Sequence, residues 1–343
     1  MPAAIDPSSR IEHLLDAAEP RIARAFRAAI KELGDEIDLK EIERLLINGD
    51  IEGALRYTVV VAERIGEAST VTFITSGQDT ARFLSGLDLG TIMFSQINVR
   101  AVQAMQVNNL RLINEFTAEQ RRATRLALLD GIARGLNPVD QARAFRDSVG
   151  LTERQQAAVI NYRRLLTGDA AEQREALTRE LRDRRYDRSV QRSIKTGEAL
   201  TPTQIDRMVT RYSERYVKYR AETIGRTEAL RSVHQGVNEG YEQAIEAGKI
   251  DAADLERTWD SSKDKRVRRT HRFLNGQKRP WGGTWATENG IIRYPGDPEA
   301  AAEETIQCRC LLTTRIKNAL KSIRKYMLYK RADNDAEVWA MAA

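Results

Sequence analysis

A long stripe of apolar and aromatic residues restricts most strongly what this chain can fold into. Its members recur at steps of three and four, the spacing of one face of an α-helix. They are Tyr212, Tyr216, Tyr219, Thr223, Arg226, Leu230, Val233, Val237, Tyr241 and Ile245. The pattern predicts a helix over 203–247 that, at roughly 1.5 Å per residue, would be about 70 Å long. Gly225, Gly236 and Gly240 allow a break within it.

A compact mixed region follows the stripe. After Asp251 glycines and prolines become frequent, and four short segments have the composition of strands: 258–260, 284–286, 291–294 and 305–314. A short helix is expected between the first two, ending at Asn275-Gly276.

Candidate functional side chains lie on these short elements. On the short helix, Asp264, Arg268 and His271 are four and three residues apart and would share one face. In the last strand, alternation would place Cys308 and Cys310 on one side. The intervening Arg309 would point to the other side.

The chain before the stripe is predicted to be helical. Pro20 is expected to divide the first helix, over 8–33, into two. A break is expected near Asp88-Leu89-Gly90 or at Thr117, and Thr152 with Gln155 predicts a capping box. The expected fold is mainly α with a small α+β C-terminal domain, in which the long tyrosine-striped helix leads from a helical body into the compact mixed module.

Four segments of different character follow from this pattern. They are an N-terminal helical region over 1–130, an arginine-rich helical region over 131–202, a core of long helix plus α+β module over 203–315, and a basic helix and tail over 316–343.

Composition limits the class of protein. The chain has 343 residues, 41% hydrophobic and 30% charged, with a net charge of +6, which is typical of a globular protein and permits contact with nucleic acid. Its two cysteines argue against a disulfide framework and fit a reducing cytosol. No signal peptide or bilayer-spanning run is evident, so neither secretion nor a membrane partner is expected.

Several separate motifs together resemble one family. They are Arg226-Thr227-Glu228, Trp259 with Asp264, Arg268 with His271, Asn275-Gly276-Gln277, Tyr294-Pro295-Gly296-Asp297-Pro298 and Cys308-Arg309-Cys310. In order and spacing they are similar to the core motifs of the phage head morphogenesis family, the Mu F-like minor head proteins of tailed bacteriophages. The resemblance covers residues 120–315.

The resemblance implies a structural minor head protein rather than an enzyme. Such a protein would be assembled in the host cytoplasm and would lie inside the capsid at the portal vertex, where it would assist head assembly and DNA packaging or ejection. The portal protein is the expected partner, with scaffold, major capsid protein and non-specific double-stranded DNA as further ones. No cofactor is expected.

The polar residues of the core can be interpreted as structural. Arg226, on an apolar stripe, needs a carboxylate, and Asp260, Asp264 or Glu228 would lock the long helix to the module. The same role is expected for the other members of this set: Trp259, Arg268, His271, Cys308 and Cys310. No metal is assigned. The alternative is a site formed by His271, Cys308 and Cys310, with Asp264 or His234 as fourth ligand.

Two surfaces for partners are predicted outside the core. An arginine-dense stretch either forms a solvated helix with acidic partners or contacts DNA phosphates. Its candidate DNA-contact residues are Arg182, Arg184, Arg185, Arg188 and Arg192. In the tail, Val338 and Trp339 are candidates for a peptide tether that binds a groove of the portal.

Two other classes of function stay open on the sequence alone. One is a cytoplasmic DNA-binding protein without a role in the capsid. Trp259, Trp281 and Trp285 could stack on bases, although they are expected to form the core of the small domain. The other is an enzyme, a nuclease or an ADP-ribosyltransferase-like protein, that uses the region of Asp264 and His271.

Overall fold

The structure is a computed structural model that describes residues 7–36, 38–50, 52–53, 59–87 and 89–317. Over these residues the predicted fold class is confirmed, because the chain is mainly α-helical with small antiparallel sheets near the C-terminal end. Within the same residues no helix combines the length and apolar character that crossing a bilayer requires.

The described elements follow one another in this order. The first helices are α1 (Pro7–Glu36), α2 (Leu39–Ile47), α3 (Val59–Ser85), α4 (Val99–Ala133), α5 (Pro138–Ser148), α6 (Glu153–Thr167), α7 (Ala170–Ala176), α8 (Asp187–Thr196) and α9 (Pro202–Glu246). The mixed module consists of β1 (Leu255–Asp260), α10 (Arg269–Leu274), β2 (Lys278–Pro280), β3 (Trp285–Thr287), β4 (Gly290–Ile292), α11 (Ala302–Thr305) and β5 (Leu311–Ile316).

The long helix is unbroken, as the stripe predicts. Two of its glycines mark close packing against α3 instead of a break. A Cβ on Gly236 would collide with the carbonyl oxygen of Phe73, and one on Gly240 would meet Thr80 and the carbonyl oxygen of Gly77. Glycine is therefore required at both positions because the two backbones approach closely.

The first helix corrects one prediction. Pro20 lies inside α1 and does not divide it. The residues on both sides of the proline, Ala18 and Ile22, are completely buried. Packing against the core therefore outweighs the loss of one backbone hydrogen bond.

Two further helix predictions agree with the structure. α3 ends at Ser85 and α4 begins at Val99, so the break includes Leu89 and Gly90, while Thr117 is inside α4. Asp88 lies outside the described residues. The capping box at the start of α6 is present, with the Thr152 side chain accepting from the Gln155 N–H and the Gln155 side chain accepting from the Thr152 N–H.

The chain forms two compact units. The first unit consists of 1–22, 67–108 and 223–343, and the second unit of 23–66 and 109–222. The predicted division into four segments rests on sequence composition and not on contacts in the structure. It stays a prediction.

The second unit has an all-helical, apolar core. Around the first half of α9, Tyr162 stacks on Tyr212 with ring centroids 4.3 Å apart. The same cluster contains Leu151, Val159, Leu165, Leu166, Ala176, Val190, Leu200, Ile205, Met208 and Val209. Burying such side chains stabilises a fold by about 1.5–3 kcal/mol each, so this core needs few polar contacts.

Candidate functional site

The mixed module of the first unit is built on a three-stranded antiparallel sheet. β1 is the central strand, between β2 and β5, and Trp259 on β1 is opposite Leu312 on β5. Residues of β1 alternate between buried and half-buried. The sheet therefore presents one face, with Trp259, to the core of the module.

Tryptophans and one arginine fill that core. Trp259 and Trp285 are completely buried, with ring centroids 5.5 Å apart. The Arg257 guanidinium lies 5.4 Å from the ring centroids of both Trp281 and Trp285. Desolvation lowers the pKa of Arg257 to about 10, and its charge is balanced by the faces of the aromatic rings.

The indole N–H of Trp281 connects the module to the long helix. It donates to Glu242 Oε1 at 2.8 Å, and the ring lies beside Tyr241. Trp281 is half-buried, so it is the member of this group that is least enclosed.

His234 joins the long helix to β5. Its Nδ1–H donates to the Leu230 carbonyl at 2.9 Å, and its Nε2 accepts the backbone N–H of Leu312 at 3.0 Å. Both ring nitrogens are thus used within the fold. Burial lowers the pKa of His234 to about 4, which keeps the ring neutral near pH 7.

A buried ion pair lies one helical turn earlier. Arg231 donates to Glu228 Oε1 at 2.7 Å, and both side chains are only 6% exposed. The Arg231 Nε also donates to the carbonyl of Gly296 at 3.2 Å. Gly296 has a φ of +82° and lies against the Arg231 backbone, where a Cβ would have no room. The turn of the Tyr294–Pro298 motif is therefore fitted directly onto the helix.

Asp297 holds that turn in shape. Its carboxylate accepts from the Arg293 guanidinium at 2.6 and 2.9 Å and from the backbone N–H groups of Arg293 and Glu299. Burial works to raise its pKa, but these donors outweigh burial and keep the pKa of Asp297 below its usual value.

Gln307 fastens the segment before β5 to the helix. Its backbone N–H donates to Thr227 Oγ1 at 3.1 Å, and its side-chain amide donates to Thr223 Oγ1 at 2.6 Å. Among the described residues it is the one non-glycine with a positive φ, at 55°. The contacts with the helix stabilise this otherwise unfavourable backbone conformation.

The structure brings His271, Cys308 and Cys310 together. His271 Nδ1 lies 3.4 Å from Cys308 Sγ and 3.3 Å from Cys310 Sγ, and all three side chains are buried. On the other side of the ring, Glu304 Oε2 lies 2.8 Å from Nε2. The interaction between the sulfurs, together with burial, raises the pKa of Cys308. The same interaction lowers the pKa of Cys310.

Glu304 is itself held by neutral donors. Thr270 Oγ1 donates to Oε2 and Asn289 Nδ2 donates to Oε1, each at 2.9 Å. Burial works to raise the pKa of Glu304, but hydrogen bonds, first of all from Asn289, keep it below its usual value. A charged carboxylate therefore faces His271 in an enclosed polar setting.

Asp264 and Arg268 do not share a helix face with His271, which corrects the prediction. The helix begins only at Arg269, with Arg268 as its N-cap residue. Asp264 lies earlier and forms a two-point ion pair with Arg309, while Arg268 donates to the Ile306 carbonyl. The helix is shorter than its pattern suggests because these polar groups bind loop segments.

Arg226 is a second correction. It is not buried against the module but pairs with Glu19 of α1 at 3.3 Å, and its side chain is 35% exposed. The predicted partners were instead Asp260, Asp264 and Glu228. In the second half of the long helix the buried arginine is Arg231, for which the sequence predicts no role.

The predicted cysteine strand begins later than expected. β5 starts at Leu311, so Cys308 and Cys310 precede it. Both cysteines are nevertheless buried, and Arg309 points elsewhere, to Asp264.

The five candidate DNA-contact arginines lie in the second unit. Arg182 pairs with Asp187, Arg185 with Asp183, and Arg192 approaches Glu198 at 3.9 Å. Arg184 and Arg188 are exposed and form no ion pair with any residue that the structure describes. The proposed tether residues Val338 and Trp339 lie outside the described residues.

Several residues with clear roles in the site were not predicted from the sequence: Arg231, His234 as a strand anchor, Glu304 and Gln307. Asp297 was named within a motif, but its role in the turn was not predicted. For Arg231 and Glu228 a signal existed, since two opposite charges three residues apart on a buried helix can pair. For Glu304 there was none, because its partners are 15 or more residues away in sequence.

Comparison with known families places this site in context. Residues 172–313 match the model of the family described as Phage Mu protein F like protein. That region is Mu F-like. The resemblance stated from the motifs is confirmed over these residues, and they include the whole cluster just described. The family indicates a phage head morphogenesis protein, and therefore one associated with the virion.

Other comparisons give no further relatives. No curated protein and no solved structure matches the chain. The Mu F-like match and the geometry of the module are therefore the two observations on which a function can be argued.

Proposed function

We propose that this protein is a structural minor head protein of a tailed bacteriophage that acts at the portal vertex. In this role the mixed module together with residues 223–246 of α9 is a rigid body that other head components bind, and it carries out no reaction. The single observation that supports this most strongly is how its polar side chains are used. Those that join the module to the long helix, including His234, Arg231 and Gln307, are bonded to the protein itself.

The geometry gives less support to an enzyme. The nuclease or transferase alternative would use Asp264 and His271. Asp264 is bound by Arg309, and His271 is only 1% exposed. A general base must be within hydrogen-bond reach of a substrate, which neither of these groups offers in this arrangement.

Assembly of heads with and without portal tests the proposal. The protein would be co-expressed with the capsid, scaffold and portal proteins of its phage, and copies per particle would be counted in purified heads. We expect incorporation when portal is present and its loss when portal is omitted. Equal incorporation in portal-free heads would contradict a role at the portal vertex, and imaging of the complex would locate the protein.

A chain lacking residues 334–343 belongs in the same experiment. The proposed tether around Val338 and Trp339 predicts fewer copies per head for this variant. An unchanged copy number would discard the tether while leaving the rest of the proposal standing.

We also propose that the protein contacts DNA non-specifically, and that Arg184 and Arg188 make this contact. These two side chains are exposed, whereas their neighbours are already paired with carboxylates. Replacing both with glutamine should lower the slope of log affinity against log salt by about 2, since each phosphate contact contributes about 0.9.

The matched control for the DNA experiment is Arg211→Gln. Arg211 is also exposed but is paired with Glu214 in the same unit. We expect this control to bind DNA like the unaltered protein. A salt dependence that is the same for all three proteins would rule out the contact.

A further inference from the structure

The buried cluster of His271, Cys308 and Cys310 is not needed for the proposed function as a rigid body. The exposed fractions of these three residues are 1%, 1% and 2%, in that order. Nδ1 of the histidine and the two Sγ atoms all lie within 4.8 Å of one another. Imidazole nitrogen and cysteine sulfur are the ligand atoms that thiophilic divalent metals prefer.

The spacing of these three atoms fits one metal ion. Zinc binds sulfur at about 2.3 Å and imidazole nitrogen at about 2.0–2.1 Å, so the edges of its tetrahedron are about 3.5–3.8 Å long. The two nitrogen-to-sulfur distances here are 3.4 and 3.3 Å. These two distances are within a few tenths of an ångström of such edges, and the two Sγ atoms lie within 4.8 Å of each other.

The residues around the cluster are arranged like those that orient the ligands of a metal site. A histidine that binds a metal usually presents its other nitrogen to a carboxylate, which fixes the orientation of the ring. Glu304 takes this position at 2.8 Å from Nε2, and it is itself fixed by Thr270 and Asn289. The backbone N–H of Cys310 points to Cys308 Sγ at 3.5 Å, which would stabilise a thiolate.

We propose that His271, Cys308 and Cys310 bind one Zn²⁺ ion through Nδ1 and the two Sγ atoms, with Glu304 orienting the imidazole. Among the described residues, no other histidine, cysteine or carboxylate atom lies within the same distance of all three. The fourth position is therefore left to water or another small ligand. Asp264 and His234, the fourth ligands considered from sequence, are bound to Arg309 and to Leu312.

The ion would join parts of the module that are distant in sequence. His271 lies on α10, Glu304 on α11, and the cysteines lie on the segment that enters β5. These elements are only four to six residues long, and small domains of this kind commonly need a metal or a disulfide to be stable. The proposed role is thus structural.

Metal analysis of the untagged full chain tests the proposal. The protein would be purified in reducing buffer from cells supplied with zinc, and its metals measured by mass spectrometry. We expect one zinc per chain, and replacement by Co²⁺ should give the thiolate-to-cobalt absorption band of a site with two sulfurs. Absence of both zinc and this band from the unaltered folded protein would overturn the proposal without any variant.

Variants locate the site. Cys308→Ser, Cys310→Ser and His271→Gln should each lose the ion, while His13→Gln, which removes an exposed histidine, should retain it. Glu304→Gln keeps all three ligands and should weaken zinc binding by about 10- to 100-fold in competition with a chelator. Full zinc content in a double cysteine variant would show that the ion binds elsewhere.

Discussion

The two halves of the long helix α9 are stabilised in different ways. In the second unit, residues 202–222 bury one apolar face, where Met208 and Tyr212 join a cluster of aliphatic and aromatic side chains. In the first unit, residues 223–246 are buried on nearly all sides, including the charged pair Glu228 and Arg231. The first half depends mainly on buried apolar area, although its Arg220 is also buried over the rings of Phe26 and Phe116. The second half depends on matched polar partners.

This difference explains where the recognisable motifs lie. An apolar face accepts many combinations of side chains of suitable volume. A buried polar group accepts only substitutions that keep its partner satisfied. The motifs at 226–228, 294–298 and 308–310 all lie in the first unit, around the polar half of the helix. Specific residues are needed there even though no reaction is proposed.

The largest expected effect comes from breaking the buried pair. Arg231→Met leaves the Glu228 carboxylate buried without its cation and should lower the free energy of unfolding by roughly 3–5 kcal/mol. Adding Glu228→Leu should recover most of that loss, because the charge is then gone. Chemical denaturation of both variants measures the difference.

The apolar half supplies the matched control for that experiment. Leu165→Met, at a completely buried position of the second unit, keeps the volume and should lower stability by less than about 1.5 kcal/mol. Equal losses for Arg231→Met and Leu165→Met would remove the contrast between the two halves.

The next effect depends on pH and is confined to the polar half. The pKa of His234 is about 4 in the folded protein and about 6.5 when unfolded, so the unfolded chain takes up the proton first. The contribution of neutral His234 to the free energy of unfolding is complete above pH 6.5 and is lost as the pH falls towards 4. Stability should decrease by about 2 kcal/mol from pH 7 to pH 5.

A glutamine variant isolates the part due to His234. The amide oxygen of His234→Gln can still accept the Leu312 N–H, but the side chain does not titrate. From pH 7 to pH 5, this variant should lose about 2 kcal/mol less stability than the unaltered protein. Parallel pH profiles would assign the acid sensitivity to other groups.

The smallest effect is expected from the tyrosine hydroxyls of the apolar half. Tyr212 Oη lies 3.4 Å from Tyr216 Oη, at the long end of a hydrogen bond, while its ring stacks on Tyr162. Tyr212→Phe keeps the stack and should lower stability by less than about 1 kcal/mol. A loss above about 2 kcal/mol would show that polar partners matter in this half as well.

Periodicity in the sequence was sufficient for the architecture. The 3.6-residue stripe gave the full extent of α9, because forty-five residues without an internal proline leave few alternatives. Local turn chemistry gave the end of α10 near Asn275-Gly276 and the break between α3 and α4. These features depend on residues close together in sequence.

The polar partners of the site could not be predicted in the same way. Arg226 lies on the apolar stripe but binds Glu19, which is 207 residues away. The partners of His271 were predicted in part, because two cysteines with alternate spacing suggested a shared side. Glu304 was missed, because nothing near it in sequence indicates that it faces an imidazole. Tertiary contacts decide these pairs.

Gln307 implies an order of events during folding. Its left-handed backbone turns the chain immediately before Cys308, and this conformation is held by Thr223 and Thr227 of the long helix. We therefore expect the two sulfurs to reach the His271 ring only after the segment has docked on α9. Capture of a metal ion would be a late step that seals a module already assembled on its helix, and a peptide lacking residues 223–246 should not form the cluster.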